Sequence, residues 1–269
     1  MTATTDTTAE FRRLHQSGCF VMPNPWDVGS TRMLTALGFK ALATTSAGFA
    51  WSVGHPDNVV GLDQTLAHLR VVAAATTLPV NADFQNGYAT EPEDIATNVG
   101  LAVQTGVAGL SIEDFSTDPD SPLFEFGLAV ERIRAARTAI DDSRTGTVLT
   151  ARSEGFVWGR PDITETIRRL AAYAEAGADC LYAPRITSLE HVAAIVAAVS
   201  PKPVNLLINT PFATVDVAAQ LGVRRISVGA MLAKTAWRGF LGAATEIADR
   251  GTFSQFVDLP DIDGLLGSS

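Results

Sequence analysis

Short, β-rich apolar runs alternate with longer stretches in which apolar residues recur at helical spacing. The runs fall at residues 19–23, 41–45, 80–83, 109–113, 147–152, 180–183, 204–208 and 225–228. Between and after them the spacing predicts helices near 28–37, 63–75, 92–105, 128–140, 163–176, 189–199, 215–221 and 232–248. Short continuous apolar runs suit strands buried on both faces, and the longer periodic stretches suit helices that cover them. Small-residue turns such as Leu37-Gly38-Phe39, Thr105-Gly106-Val107, Ala176-Gly177-Ala178 and Leu221-Gly222-Val223 mark helix ends, where glycine tolerates a left-handed backbone. Eight strand–helix units in a chain of 269 residues favour a closed parallel (β/α)8 TIM-type barrel over an open doubly wound sheet. No linker or low-complexity segment divides the chain, so residues 1–269 read as a single barrel domain. Residues 3–17 predict an extra N-terminal helix over the barrel floor.

Composition narrows the picture. With 46% hydrophobic and 18% charged residues, the chain can bury a large core and is not disordered. Its net charge of −9 provides no electrostatic footprint for nucleic acid or an anionic membrane, although a local arginine or metal can still attract an anion. Cys19 and Cys180 lie in apolar runs and read as buried reduced thiols. The stretch from Met1 to Glu10 has neither the basic start nor the apolar segment of a signal peptide, and no apolar run is long enough to span a bilayer. A cytoplasmic location is therefore expected. No GxGxxG or GxxxxGK[ST] pattern follows a strand, which weakens nucleotide-binding readings.

In such a barrel, chemistry sits at the C-terminal ends of the strands. The second strand ends in Thr44-Thr45-Ser46-Ala47-Gly48, small residues whose backbone N–H groups can approach a carboxylate, and the loop runs on to Asp57. The third strand carries Asn81-Ala82-Asp83, followed by Asn86-Gly87-Tyr88; the fourth ends in Glu113-Asp114; the fifth ends in Arg152, with Glu154 two residues on. The seventh brings Asn205 and Asn209. Asp57, Asp83 and Glu113 thus converge on one side of the mouth, where oxygen-only donors favour a hard ion, Mg²⁺ or Mn²⁺, held partly through water. Arg152 offers a planar two-pronged donor to a substrate carboxylate.

From Pro23 to about Gly229 the chain resembles the isocitrate lyase/phosphoenolpyruvate mutase superfamily. The resemblance rests on Pro23-Asn24-Pro25-Trp26-Asp27 and on residues 44–51, 80–88, 106–114, 150–156 and 173–182, taken as an ordered set. It implies an α/β barrel with a C-terminal helix exchanged between subunits of a dimer or tetramer. It also implies Mg²⁺-assisted chemistry on a small 2-oxo acid through an enolate. Ser46, Ala47 and Gly48 would cradle the carboxylate or enolate oxygen; Asp57, Asp83 and Glu113 would hold the metal; and Arg152 would pair with the substrate carboxylate. Two positions depart from the pattern. The strand-three motif of the superfamily reads Asp-x-Asp, and its first position is Asn81 here, whose amide oxygen can still ligate a metal. The loop that carries Lys-Lys-Cys-Gly-His in the lyases reads DFSTDPDSPLFEF, residues 114–126, with no thiol, amine or imidazole, and it lacks the mutase asparagine as well.

The reading therefore makes Arg152, Glu113 and Asp57 catalytic candidates, Trp51 and Asn205 further substrate contacts, and Asn81 a metal ligand beside Asp83. Phe49 is expected to wall the pocket or pack, Tyr88 to donate to substrate or pack, and Glu154 to partner Arg152, in preference to shuttling a proton. His55 is a loop acid/base candidate, while His15, His68 and His191 are read as surface residues. Arg185 suits a distal carboxylate. The leading function is a lyase that decarboxylates, or cleaves a C–C bond next to, a 2-oxo (di)acid. Phosphorus–carbon bond chemistry and non-catalytic 2-oxo acid binding are the alternatives.

Overall fold

The computed structural model describes residues 6–267. Its strands are β1 (Phe20–Met22), β2 (Leu42–Ala43), β3 (Val80–Asp83), β4 (Gly109–Glu113), β5 (Val148–Arg152), β6 (Cys180–Tyr182), β7 (Val204–Leu207) and β8 (Arg225–Ser227). All pair in parallel in the order β1-β8-β7-β6-β5-β4-β3-β2. The gap between β1 and β2 is bridged by the Ala43 N–H, which donates to the Pro23 carbonyl at 3.0 Å. Asn24 reinforces this seam: its amide donates to Thr44 O (2.9 Å), and its oxygen accepts from Val228 N (2.9 Å) and Gly229 N (3.0 Å). One asparagine thus ties the ends of β1, β2 and β8, giving the nearly closed (β/α)8 barrel expected from the alternation.

The outer helices are α2 (Val28–Ala36), α4 (Leu62–Ala74), α5 (Pro92–Val103), α6 (Phe126–Ser143), α7 (Ile163–Glu175), α8 (Leu189–Val199), α9 (Val215–Gln220) and α10 (Met231–Arg250). Gly38, Gly106, Gly177 and Gly222, which end four of them, all have positive φ, as their place in the sequence required. Two helices were not anticipated: α3 (Ser46–Ser52), capped by the Thr45 hydroxyl, and α11 (Ile262–Gly267). The N-terminal helix α1 spans Thr7–Leu14, shorter than the expected 3–17, of which residues 3–5 lie outside the described residues.

The main core lies between sheet and helices, with Leu69, Ile95, Leu110, Leu149, Leu170 and Leu206 among its buried members. A second cluster plugs the barrel floor, where α1 inserts Phe11 among Phe20, Met22, Ala41, Ala108 and Val148. Gly109 makes room for it, since a Cβ there would stand 2.6 Å from the Phe11 ring. Arg12 pins the helix, donating to Gly146 O at 2.6 Å and pairing with Asp179 at 3.4 Å. Neither cysteine forms a disulfide, and no helix among the described residues is long and apolar enough to cross a membrane.

Strand register sets up the site. Paired positions on neighbouring parallel strands point to the same side of a sheet. One row runs Glu113↔Arg152↔Tyr182↔Asn205↔Arg225 across β4 to β8. A second places Asp83 beside Ser111 and Thr150. Polar and charged side chains therefore line the upper barrel interior, where an ordinary barrel core would be branched and apolar.

Candidate active site

These rows open into a cleft of about 260 Å³ at the C-terminal mouth. Its centre is Arg152. The guanidinium donates through Nη1 to Asp83 (2.9 Å) and through Nε to Glu154 (2.7 Å), and its Nη1 forms an ion pair with Glu113 at 2.8 Å. Among the described residues no hydrogen bond or ion pair engages Nη2, so one edge of the fork is open to a ligand. Burial opposes the charge on Arg152, but Glu113, Glu154 and Asp83 outweigh it and hold the group firmly cationic. Tyr182 lies beneath, with its ring centre 4.9 Å from the guanidinium carbon.

Three carboxyl groups here titrate above their usual range. Desolvation raises Glu113 well above it; Arg152 pulls it down, and repulsion from Glu154, Asp83 and Asp57 pushes it up again. Glu154 is raised by the same desolvation, offset in part by Arg152. Asp57 stands on the more exposed rim, accepts from the Ser46 hydroxyl at 3.4 Å, and is raised by desolvation and then by Asp83. Four carboxyl groups against one guanidinium leave an excess of negative charge, which the cluster relieves by retaining protons.

Of the residues singled out from the sequence, Ser46, Ala47, Trp51, Asp57, Asn81, Asp83, Glu113, Arg152 and Asn205 all line this cleft. Gly48 does not. It is turned into α3, donates its N–H to Thr45 Oγ1 (3.2 Å), and packs so closely that a Cβ would meet Thr45 at 2.6 Å. The Ser46 N–H is likewise engaged, by Asp83 Oδ2 at 2.9 Å. Asn81 lies one interior layer below Asp83, and its amide oxygen accepts from Arg225 at 3.4 Å. Asn205 sits on the floor, accepting from Arg225 Nε (3.0 Å) and donating to Ser227 Oγ (3.0 Å). Glu154 is the partner of Arg152.

Other assignments change. Phe49 stacks on His68 at 3.8 Å, away from the cleft, and Tyr88 bonds Thr65 at 2.8 Å beneath it. His68 is 7% exposed and desolvation pushes it down to about 4; His15 is pushed to about 3 and bonds Phe11 O and Arg225. Neither is a surface residue. His55 is exposed and outside the cleft lining, whereas Arg185 is exposed on its rim. Tyr182, Trp158, Lys234 and Arg225 also line the cleft but were not singled out. Alternation in β8, which turns Arg224 outward and Arg225 inward, was the one signal that would have found the last.

The loop after β4 is pinned. Asp114, 4% exposed, accepts from Glu154 N (2.7 Å), Arg169 Nη1 (3.1 Å) and Tyr173 OH (2.7 Å). Phe115 pairs with Leu123 across the loop, and its ring stacks on Trp158 at 4.3 Å.

A barrel with an acidic, arginine-centred cleft at its C-terminal mouth defines a small-molecule enzyme scaffold, and the comparisons with known proteins specify which one. The model of the phosphoenolpyruvate phosphomutase family matches residues 11–248, so the chain belongs to that family, within the isocitrate lyase/phosphoenolpyruvate mutase superfamily, whose members are lyases and mutases. A lyase/mutase candidate of known structure from Burkholderia cenocepacia J2315 is 43% identical, with a TM-score of 0.95 over 98% of this chain and 97% of its own. An uncharacterized protein of Mycobacterium tuberculosis is 34% identical over 95% of both chains. An oxaloacetate acetylhydrolase, solved in complex with its product oxalate, is 27% identical with a TM-score of 0.87, covering 98% of this chain and 94% of its own.

Proposed function

We propose that this protein is a divalent-metal-dependent lyase that decarboxylates a small 2-oxo diacid. The observation that carries the reading is the excess of carboxylate over guanidinium at the cleft. Asp57, Asp83 and Glu113 supply oxygen donors alone, the set a hard cation takes, and Glu113 and Asp57 are shifted upward, first by desolvation and then by neighbouring carboxylates, so that a divalent ion would stabilise their charged forms. As they stand, no three His, Cys, Asp or Glu among the described residues are gathered as a ready ligand set, because Arg152 bonds both Asp83 and Glu113. A Mg²⁺ ion suits such a site, since it keeps several waters and few direct carboxylates. Asn81 is left out of this set, because its oxygen already accepts from Arg225. Bound there, the metal would supply Lewis acidity toward the carbonyl and carboxylate oxygens of the substrate.

The chain's own residues do the rest. The free Nη2 edge of Arg152 orients a substrate carboxylate, and Ser46 Oγ and the Ala47 backbone meet it from α3. Trp51 and the Phe115–Trp158 stack wall the cleft against water. Glu154, which is outside the metal's donor set and whose carboxyl holds a proton more tightly than usual, can return it to the carbanion left when CO2 departs. The related acetylhydrolase holds oxalate, a compact dianion of the same kind, which supports the ligand class.

The protein is further proposed to work as a homo-oligomer. Phe240, Leu241, Phe253, Phe256, Val257 and Leu259, in and after α10, are 55–67% exposed, apolar side chains that a second copy of the chain would cover.

Turnover of oxaloacetate, isocitrate, methylisocitrate and phosphonopyruvate, each with Mg²⁺ and with EDTA, tests the reading. Mg²⁺-dependent loss of CO2 from oxaloacetate, above the spontaneous metal-catalysed rate, is expected. Preferred turnover of the phosphonate would replace it with phosphorus–carbon chemistry. Binding without turnover of any of them would make the protein a 2-oxo acid binder.

A further inference from the structure

Arg225 opens β8 at the floor of the cleft and is 1% exposed, yet no Asp or Glu among the described residues forms an ion pair with it. Its guanidinium donates through Nε to Asn205 Oδ1 (3.0 Å) and through Nη2 to Thr150 Oγ1 (2.9 Å). Its Nη1 donates to His15 Nε2 (3.2 Å) and Asn81 Oδ1 (3.4 Å). All four acceptors are neutral. His15 is held so by burial and by the adjacent Arg225 charge, and its Nδ1–H is committed to the Phe11 carbonyl at 2.7 Å.

This arrangement is unusual in energetic terms. Hydrogen bonds to neutral groups satisfy the donors of a guanidinium but leave its charge uncancelled, and a buried arginine does not shed its proton. The simplest remedy is a carboxylate at one of the acceptor positions. Two of those positions, 81 and 205, carry amides of the same shape as Asp. The carboxylates of the site, Asp83, Glu113 and Glu154, are committed to Arg152 instead. The cleft thus has a cancelled guanidinium at its upper wall and an uncancelled one below.

We infer that Arg225 is an anion-specificity residue. Its uncompensated charge on the cleft floor draws in a carboxylate-bearing ligand, and Asn81 and Asn205 remain amides so that the charge is left for the ligand. The inference rests on the proposed 2-oxo acid chemistry for its ligand class, but it needs no metal. It also recasts position 81: the amide faces a cation, so restoring a carboxylate there does not repair a metal site but quenches Arg225.

Oxalate is the probe, with affinity measured by calorimetry in EDTA and again in Mg²⁺, and thermal stability recorded in parallel. Asn81→Asp should weaken oxalate binding at least about tenfold in both conditions, since a unit charge within about 12 Å of the ligand is worth about 1.4 kcal/mol or more at an effective dielectric constant of about 20. Its melting temperature should equal or exceed that of the wild type, because the new carboxylate pairs with a buried cation. Arg225→Gln should weaken binding at least as much, and Arg225→Lys should stay within about threefold of wild type because it keeps the charge. Tighter oxalate binding by Asn81→Asp in Mg²⁺ would overturn the inference and return position 81 to the metal. Unchanged affinity in Asn81→Asp would overturn it too, as would Arg225→Lys being as weak as Arg225→Gln, which would make Arg225 a scaffold of hydrogen bonds. Should the Arg225 variants not fold, Asn81→Asp and Asn205→Asp decide the matter by the same readouts. If the wild type binds no oxalate in either condition, the proposed function falls together with this inference; wild-type binding combined with any of the overturning variant results removes only the role of Arg225.

Discussion

Replacing Arg152 with methionine keeps much of the side-chain stem and removes the one cation that three buried carboxylates share. The bonds at stake measure 2.9 Å to Asp83, 2.8 Å to Glu113 and 2.7 Å to Glu154, between side chains 2–18% exposed. Breaking a buried ion pair from one side costs about 3–5 kcal/mol, because the partner is left charged and unpaired. Here three partners are orphaned, but the costs do not add, since the cluster can take up protons. At pH 8 the variant should therefore lose about 3–5 kcal/mol against wild type. The sign of its pH dependence follows from the direction of the shifts. Desolvation already raises Glu113 and Glu154 above 4.5, the value they regain on unfolding, and without Arg152 they rise further. The folded state then binds more protons than the unfolded one, so the stability these groups contribute is complete below 4.5 and is lost as pH rises through their folded values. The deficit should shrink markedly at pH 5. Urea unfolding of both proteins at pH 5 and pH 8, with the same dependence on denaturant, measures it. A loss under about 1 kcal/mol at pH 8, or a larger loss at pH 5 than at pH 8, would refute the picture of a charged, arginine-centred cluster.

Two further outcomes follow from the same geometry. Mg²⁺ affinity, measured by calorimetry in the presence of oxalate, should rise between pH 6 and pH 8, because Glu113 and Asp57 are shifted upward and must shed protons to ligate; a flat profile would show that they are ionised already. Deleting residues 231–269 removes α10 and the exposed apolar stretch after it, and should leave a protein that is monomeric or insoluble; a soluble oligomer of wild-type size in light scattering would show that association uses another face.

Periodicity made the barrel legible, because each strand is buried on both faces and each helix on one, and that asymmetry is written in residue spacing. It failed at α3. Ser46–Ser52 reads SAGFAWS, a run of small residues after a strand that suggests a loop, but the Thr45 side chain caps Gly48 N–H and starts a helix. The residues of the site were legible by position, since strand ends face the mouth, and most of them do line one cleft. Their partners were not. Nothing local to Arg152 shows that its Nη1 spans to Asp83 and Glu113 on two other strands, because that depends on register and shear. Nor does the pair Arg224-Arg225, which alternation splits between the two faces, reveal that the outer side chain bonds Gly18 and the inner one Asn205 and Thr150. His68 looked like a surface residue because its helix is mildly amphipathic, yet Phe49 of the unforeseen α3 covers it.

The loop after β4 shows how structure alters a chemical conclusion without changing its direction. Read as sequence, Asp114, Asp118, Asp120 and Glu125 make an acidic, solvated flap with no group suited to donate a proton. In the fold, three of these carboxylates serve the loop itself. Asp114 is buried against Arg169, Tyr173 and the Glu154 backbone, Asp118 accepts from Asp120 N at 2.9 Å, and Glu125 caps α6 through Gly127 N and Leu128 N. Desolvation does raise Asp114, but its lone pairs are already spent on hydrogen bonds, so it cannot act on a ligand in the cleft. The proton available to chemistry therefore lies on the wall beside Arg152, at Glu154. A reaction that expels an aldehyde needs an acid/base pair placed on both the leaving group and the carbanion. Loss of CO2 needs only the second, because the leaving group departs without a proton. One buried proton-holding carboxyl beside one guanidinium meets that smaller demand, and it is this economy of groups, more than the missing thiol, that supports the proposed decarboxylation.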